Sequence, residues 1–264
     1  MLMVILVLVV LGLSLGSFVN ALVWRVHEKR NWFNDRSVCT NCSHVLSPKD
    51  LVPIASWIIL RGKCRYCKHK ISSQYPIIES LVTILFILSY VLWPTSFNSI
   101  EFVIFSMWLV LVTGLIALAV YDLHYMLLPT KMIYSLLILA IAMSVIRVVI
   151  SSNPVSVLLN MLFGSLAIGG VFYALYAISK GKWIGGGDVR LGFLLGLLVS
   201  TPGRSFLLVF IASLIGSVVA VLLLSAKKIK PKNLIPFGPF LITALFIVQF
   251  WGQDILNWYK GLFI

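Results

Sequence analysis

Only eight acidic residues stand in the 264-residue chain: Glu28, Asp35, Asp50, Glu79, Glu101, Asp122, Asp188 and Asp254. Two of them sit where an apolar run meets a turn. Asp122 follows the run 102–121 and opens Asp-Leu-His-Tyr-Met-Leu-Leu-Pro129; Asp188 ends Gly185-Gly186-Gly187-Asp188, just before the run 191–201. An acidic group at membrane depth is costly, which makes it a candidate for function. Two neighbouring carboxylates do not readily both ionise, so one keeps a proton near neutral pH. Such a pair supplies a base to activate water and an acid to polarise a carbonyl, the chemistry of peptide hydrolysis without metal or covalent intermediate. The bland alternatives are a solvated helix end for Asp122 and a helix N-cap for Asp188. Gly185 and Gly187 are expected to permit unusual backbone angles and close approach by another segment. They do not form a phosphate loop: there is no G-x-x-x-x-G-K-[ST], and Arg190 stands where G-x-G-x-x-G needs glycine. Glu79, after Gln74-Tyr75-Pro76, is a candidate to bind a substrate's or loop's positive charge, or simply to complement a helix dipole. His124 is close enough in sequence to tune Asp122, although an interfacial histidine needs no such role.

A second constellation is made of cysteines. All four lie in one polar segment as Cys39-Thr-Asn-Cys42 and Cys64-Arg-Tyr-Cys67. Two C-x2-C knuckles supply four thiolates, enough to close a tetrahedral structural zinc site with no open position for water. Disulfides are the alternative, disfavoured in a reducing compartment. His27, His44 and His69 share the segment and read as solvated or supporting groups.

The elements that must hold these residues are membrane helices. The chain is 60% hydrophobic and 11% charged, with mean hydropathy +1.04. A soluble domain carries about 25% charged residues, and a disordered chain is more polar still. The fold class is therefore all-α and polytopic. Apolar runs at 1–23, 76–93, 102–121, 132–150, 155–178, 191–201, 205–226 and 235–251 predict eight transmembrane helices, the sixth short enough that a re-entrant segment is its alternative. The organisation expected is a first helix over 1–23, a cysteine domain over 24–75 and a seven-helix membrane domain over 76–264. If all eight runs cross, 18 of the 21 Lys and Arg fall on one side, in 24–75, 122–131, 179–190 and 225–236. The bias toward the cytoplasm then puts both aspartates and all four cysteines inside, with both termini outside. The net charge of +13 is accounted for by topology and anionic lipid, so the partner is the bilayer and no nucleic acid is implied.

With these residues the sequence resembles the type IV prepilin peptidases, a leader peptidase and N-methyltransferase family of G-x-G-D aspartyl membrane proteases. Leu15-Gly16-Ser17-Phe18-Val19-Asn20 with Arg25 resembles the family's opening motif, and the paired knuckles its cysteine domain. Gln74-Tyr75-Pro76 through Glu79, Asp122 through Leu128-Pro129, Gly185, Gly187 and Asp188 with Val189-Arg190-Leu191, and Ile235-Pro236-Phe237-Gly238-Pro239-Phe240 follow in the family's order. Two departures are His27, where proline often stands, and Thr130, where an acidic residue is common. The resemblance implies that Asp122 and Asp188 are catalytic and cleave a short basic leader after glycine at the cytoplasmic face of the bacterial inner membrane. It also implies N-methylation of the new N-terminus from S-adenosylmethionine, and as substrates type IV prepilins, type II secretion pseudopilins or competence pseudopilins. The competing class is a small-solute transporter or channel, which would place polar residues near the midplane in repeated halves.

Overall fold

The computed structural model describes residues 1–32, 34–226 and 235–262, and among these every regular element is helical. The chain forms two compact units, Met1–Ala117 and Leu118–Ile264.

In the first unit, α1 (Leu2–His27) carries no charge before Arg25, and it packs against α3 (Gln74–Val91). Lipid offers no hydrophobic drive for two apolar helices to associate, so close backbone contact through small residues has to supply it. Gly12 and Gly16, one turn apart, do so: a Cβ on either would lie 2.6 Å from the Cα of Thr83 or of Glu79. Val19, Val82 and Phe86 fill the same seam and are fully buried. Asn20, one turn beyond Gly16, is buried and hydrogen-bonds through Nδ2 to the Gly16 carbonyl at 3.3 Å and through Oδ1 to Gln74 Nε2 at 3.4 Å. Arg25 is buried as well, donating to the carbonyls of Trp32 and Asp35 at 2.8 and 2.7 Å. Between α1 and α3 the polar segment has one five-residue helix, α2 (Ala55–Ile59), and two isolated bridges, Val38–Val45 and Lys63–Lys70. The boundary between the units falls within α4 (Ser99–Tyr125).

The second unit comprises the end of α4, α5 (Thr130–Ile150), α6 (Pro154–Ser165), α7 (Val171–Ser179), α8 (Gly186–Val199), α9 (Pro202–Ser225) and α10 (Gly238–Gly261). Pro154, Pro202 and Pro239 occupy first-turn positions, where a missing N–H costs nothing. Left-handed Lys180 and Ser200 close α7 and α8. α6 runs into α7 through a π turn, Leu166–Gly170, so the two make one crossing.

α8 is the hub of this unit: it touches α5, α6, the π turn, α7, α9 and α10. Leu191, Leu194 and Leu195 are wholly buried. Glycines let its neighbours close in. Gly169 lies directly against the Phe193 ring, and Gly196 against the Gly164 carbonyl. Ser165 Oγ donates to the Phe193 carbonyl at 3.0 Å, and Ser205 Oγ to that of Gly164 at 2.8 Å.

Among the described residues, seven helices are long and apolar enough to cross a bilayer. The remaining expected crossing, the sixth run at 191–201, forms α8, whose 14 residues span about 21 Å against about 30 Å of hydrocarbon. α8 also starts earlier than the apolar pattern does, at Gly186, which draws Asp188 and Arg190 into the helix. Likewise α4 continues past Tyr121 to Tyr125, because Leu123 and Tyr125 extend its apolar pattern around Asp122. Lys227, Lys228, Lys230 and Lys232, which enter the charge count above, lie outside the described residues.

Candidate active site

Asp122 occupies the last turn of α4 and is 5% exposed. Its Oδ2 accepts the backbone N–H of Gly238 at 3.1 Å. Gly238 is the first residue of α10, and the opening N–H groups of a helix have no partner within it. A carboxylate placed there satisfies one of them and meets the positive end of the helix dipole. Just beyond Asp122, Met126 adopts φ +51° and donates its N–H to the Asp122 carbonyl at 2.8 Å, which ends α4 and turns the chain through Leu128 and Pro129 into α5.

Asp188 is the third residue of α8, not its N-cap; that position belongs to Gly185. The carboxylate reaches back to accept the Gly185 N–H, half of a capping-box arrangement, and remains half-buried. Each aspartate thus has one helix-terminal N–H, and the two carboxylates are near enough for the charge of one to act on the other.

Leu128 and three glycines set this spacing. A Cβ on Gly187 would lie 2.9 Å from Leu128 Cβ; one on Gly238 would lie 2.6 Å from Asp122 Oδ2 and 3.6 Å from Leu128 Cδ2. A Cβ on Gly185 would lie 3.3 Å from Asp188 Oδ2. Of the two properties expected of the glycines, only close approach is used. Gly185 has an ordinary extended backbone, Gly186 and Gly187 are helical, and none has positive φ. Arg190 donates to Thr130 Oγ1 at 2.8 Å, tying the second turn of α8 to the first residue of α5. His124 engages the Val120 carbonyl of its own helix at 2.9 Å.

Glu79 belongs to the first unit, and the partners its carboxylate meets there are uncharged donors. It is the sixth residue of α3, 4% exposed, and its Oε2 accepts the Ile54 N–H at 2.7 Å, with the Ser17 hydroxyl as a further donor. Ile54 has φ +58° and ψ −53°, and the Ala55 N–H reaches the Pro53 carbonyl at 2.5 Å. This is a γ-turn, centred on a β-branched residue, at a strain of about 1–3 kcal/mol. The buried carboxylate holds the turn against α3.

The four cysteine sulfurs lie within 4.8 Å of one another and form no disulfide. Each knuckle is closed the same way. Cys39 N–H bonds the His44 carbonyl at 2.9 Å and Cys64 N–H that of His69 at 2.8 Å, with left-handed Ser43 and Lys68 following the second cysteine of each pair. A tetrahedral ion with metal–sulfur bonds of about 2.3 Å separates its sulfurs by about 3.8 Å. Cys39 and Cys67 are already 3.8 Å apart, so the donor set fits such an ion. The His69 N–H directed at Cys67 lowers that thiol to about 6, whereas burial and the neighbouring Cys67 and Cys39 sulfurs push Cys42 up to about 11; an ion bound by all four displaces the protons that remain. His44 stacks on Tyr66 with ring centroids 3.7 Å apart. Asp50 joins the knuckles through Arg65 Nε at 2.6 Å, Tyr66 Oη at 3.1 Å and Ser47 Oγ at 2.8 Å. Burial opposes its charge, but these donors outweigh burial and hold the carboxyl at about 2.

Sequence reasoning missed the partners of the acidic groups. Gly238 lies 116 residues from Asp122, and Ile54 is 25 from Glu79; a backbone donor leaves no side-chain signature. A legible signal was passed over in Gly12-x-x-x-Gly16, the small-residue spacing that seats α3 on α1.

The bacterial peptidase A24 N-terminal domain family matches residues 10–93, and the type IV leader peptidase family matches residues 109–221. Among curated relatives, the prepilin leader peptidase/N-methyltransferase of Bacillus subtilis (strain 168) is 30% identical over 258 residues, covering 96% of each chain. That of Xanthomonas campestris pv. campestris is 30% identical over 274 residues, 94% of this chain and 92% of the relative. That of Pseudomonas aeruginosa is 28% identical over 276 residues, 95% and 91% respectively. No solved structure matches. With two aspartates at converging helix ends, a four-cysteine cluster and relatives matched across almost their whole length, the chain belongs to the type IV leader peptidase family.

Proposed function

We propose that this multi-pass membrane protein is an aspartyl peptidase that removes the basic leader of prepilin-like precursors and methylates the N-terminus it exposes, with S-adenosylmethionine as co-substrate. Asp122 and Asp188 are the catalytic pair. The observation that carries this reading is their shared environment: two carboxylates, each facing a helix-terminal N–H, each within reach of the other's charge. One proton shared between them leaves a carboxylate to take a proton from water and a carboxylic acid to donate to the scissile carbonyl. The Gly238 and Gly185 N–H groups fix the oxygens they bind, so the remaining oxygens are oriented for the reaction. Gly185 and Gly187 support the site by leaving room for Leu128 and the carboxylates.

The cysteine domain over 24–75 is read as a structural zinc module, in which Cys39, Cys42, Cys64 and Cys67 hold the ion and the ion stabilises the domain's fold. The bias of 18 of 21 basic residues to one side supports eight spans in the bacterial inner membrane, with site and zinc module facing the cytoplasm. Pilin precursors and the pseudopilins of secretion and competence systems are the substrates to try. A solute transporter is not favoured, because the acidic pair gathers at helix ends instead of along a central path.

The test incubates the full-length protein with candidate precursors and S-adenosylmethionine, and reads leader loss and added methyl by mass spectrometry. Asp122→Asn and Asp188→Asn each abolish cleavage while expression and membrane insertion persist. Normal processing by either variant refutes the catalytic pair.

A further inference from the structure

The cysteine segment contains an uncharged stretch, Leu-Val-Pro-Ile-Ala-Ser-Trp-Ile-Ile-Leu over residues 51–60, bounded by Lys49 and Asp50 on one side and Arg61 and Lys63 on the other. Its apolar side chains are not folded inward: Ile58 and Ile59 are 61% and 74% exposed, and Leu51 and Val52 are exposed beside them. We infer that this stretch is a membrane-embedded anchor, seated in the acyl chains of the leaflet from which α1 and α3 emerge on the cysteine-domain side.

Depth is the first argument. Ile54 N–H bonds Glu79, and Glu79 Cα is the atom against which Gly16 of α1 packs. Gly16 lies seven residues, about 10 Å, inside Val23, near the end of the charge-free stretch of α1. A helical side chain leans toward its own N-terminus, so the Glu79 carboxylate rises toward the start of α3 by at most about 5 Å. Ile54 therefore meets it roughly 5 Å below the level at which α1 becomes polar, inside the 5–10 Å band that interfacial segments occupy. At this depth an irregular backbone and a carboxylate each need a partner. The structure supplies each to the other: the γ-turn N–H satisfies Glu79, and Ser17 adds its hydroxyl.

Charge is the second argument. Lys49, Arg61 and Lys63 are exposed and bracket the apolar stretch, the pattern that places cations among anionic headgroups while the intervening residues enter the chains. The stretch is also fixed relative to its own domain, since Trp57 Nε1 donates to the Ile71 carbonyl at 3.3 Å and the Gly62 turn packs under the Trp57 ring. Exposure of Ile58 and Ile59 is thus a property of a held conformation.

The test places an environment-sensitive fluorescent amino acid at Ile59 of the full-length chain, reconstituted in vesicles of phosphatidylethanolamine with a minority of phosphatidylglycerol. The same probe at exposed Lys68 serves as the control. Lipids carrying a spin label high on the acyl chain quench the Ile59 probe about threefold more than the Lys68 probe, and soluble iodide shows the opposite order. Iodide quenching at Ile59 equal to that at Lys68 overturns the inference, because the stretch is then in water. Protection from both quenchers also overturns it, because another part of the protein then covers the stretch. In purely zwitterionic vesicles the acyl-chain quenching weakens; no change there overturns the role given to Lys49, Arg61 and Lys63. None of these readings depends on catalysis, so they stand or fall separately from the peptidase assignment.

Discussion

Gly238→Ala is the sharpest probe of the site because it leaves both carboxylates in the sequence and changes only where one can sit. The added methyl would stand 2.6 Å from Asp122 Oδ2 and 3.4 Å from its Cγ. A carbon–oxygen contact settles near 3.4 Å, slightly inside the carbon–carbon optimum, so Oδ2 retreats by roughly 0.8 Å. That retreat breaks the 3.1 Å bond from the Gly238 N–H. A hydrogen bond to a charged group is worth about 1.5–3 kcal/mol, equivalent to roughly a 10- to 150-fold change in rate if it is lost from the transition state. Displacement of a catalytic group by about 1 Å costs on the order of 100-fold by an independent argument. The expectation is a fall in kcat of about 10- to 100-fold with KM little changed. Initial rates of precursor cleavage, measured on the full-length enzyme by mass spectrometry, check it. Gly203→Ala is the matched control: there the nearest atom to a new methyl is Leu256 Cδ1 at 3.7 Å, and the rate stays near wild type. A Gly238→Ala enzyme within twofold of wild type refutes the reasoning, since Asp122 would then tolerate being moved. So would an equal loss in Gly203→Ala, which would mark general fragility of α9 and α10.

Purified protein is expected to carry one zinc, and Cys64→Ser to lose it; elemental analysis finding no zinc, with all four thiols open to maleimide, removes the metal assignment. Asp50 is held at about 2 against an ordinary value of 3.8. A carboxyl depressed on folding stabilises fully above its unfolded value, and the contribution is lost as pH falls through the folded one. The difference in thermal unfolding between wild type and Asp50→Asn is therefore present at pH 6 and shrinks from about pH 4 toward pH 2; a constant difference across that window contradicts it. Thr130→Asp turns the neutral Arg190 contact into an ion pair between exposed groups and raises stability by less than about 1 kcal/mol. Thr130→Val removes the contact and lowers stability slightly, so a thermal shift of opposite sign for either variant counts against this bond.

What was readable from the chain alone follows from how physical signals are written. Two aspartates among eight acidic residues stood out because a charge at the edge of an apolar run is costly and conspicuous. Four cysteines in two knuckles stood out because metal ligands cluster at short spacings. The long spans were legible for the same reason of composition. α8 was only half legible: the apolar pattern begins at Leu191, but the helix begins at Gly186, since glycines and Asp188 make a poor helical signature and a good helix start. The γ-turn at Ile54 was invisible, because β-branched residues avoid positive φ and nothing local announces the buried Glu79 that compensates. Gly238 was read only as part of a motif; its task is that of a backbone N–H brought in by tertiary packing.

The shortness of α8 bears on how the protein is made. Spans are recognised one at a time as they leave the ribosome, by how well each partitions into lipid on its own. A helix of 14 residues containing Gly186, Gly187, Asp188, Arg190, Gly192 and Gly196 is a poor candidate for that selection. Its apolar side chains are instead enclosed by α5, α6 and the helices on either side of it in the chain. The expectation is that Asp188 reaches Asp122 by the docking of finished helices, since α8 packs both on α5 and α6, which precede it, and on α9 and α10, which follow it. On that order of assembly, the two carboxylates proposed as the catalytic pair meet only at a late step of biogenesis.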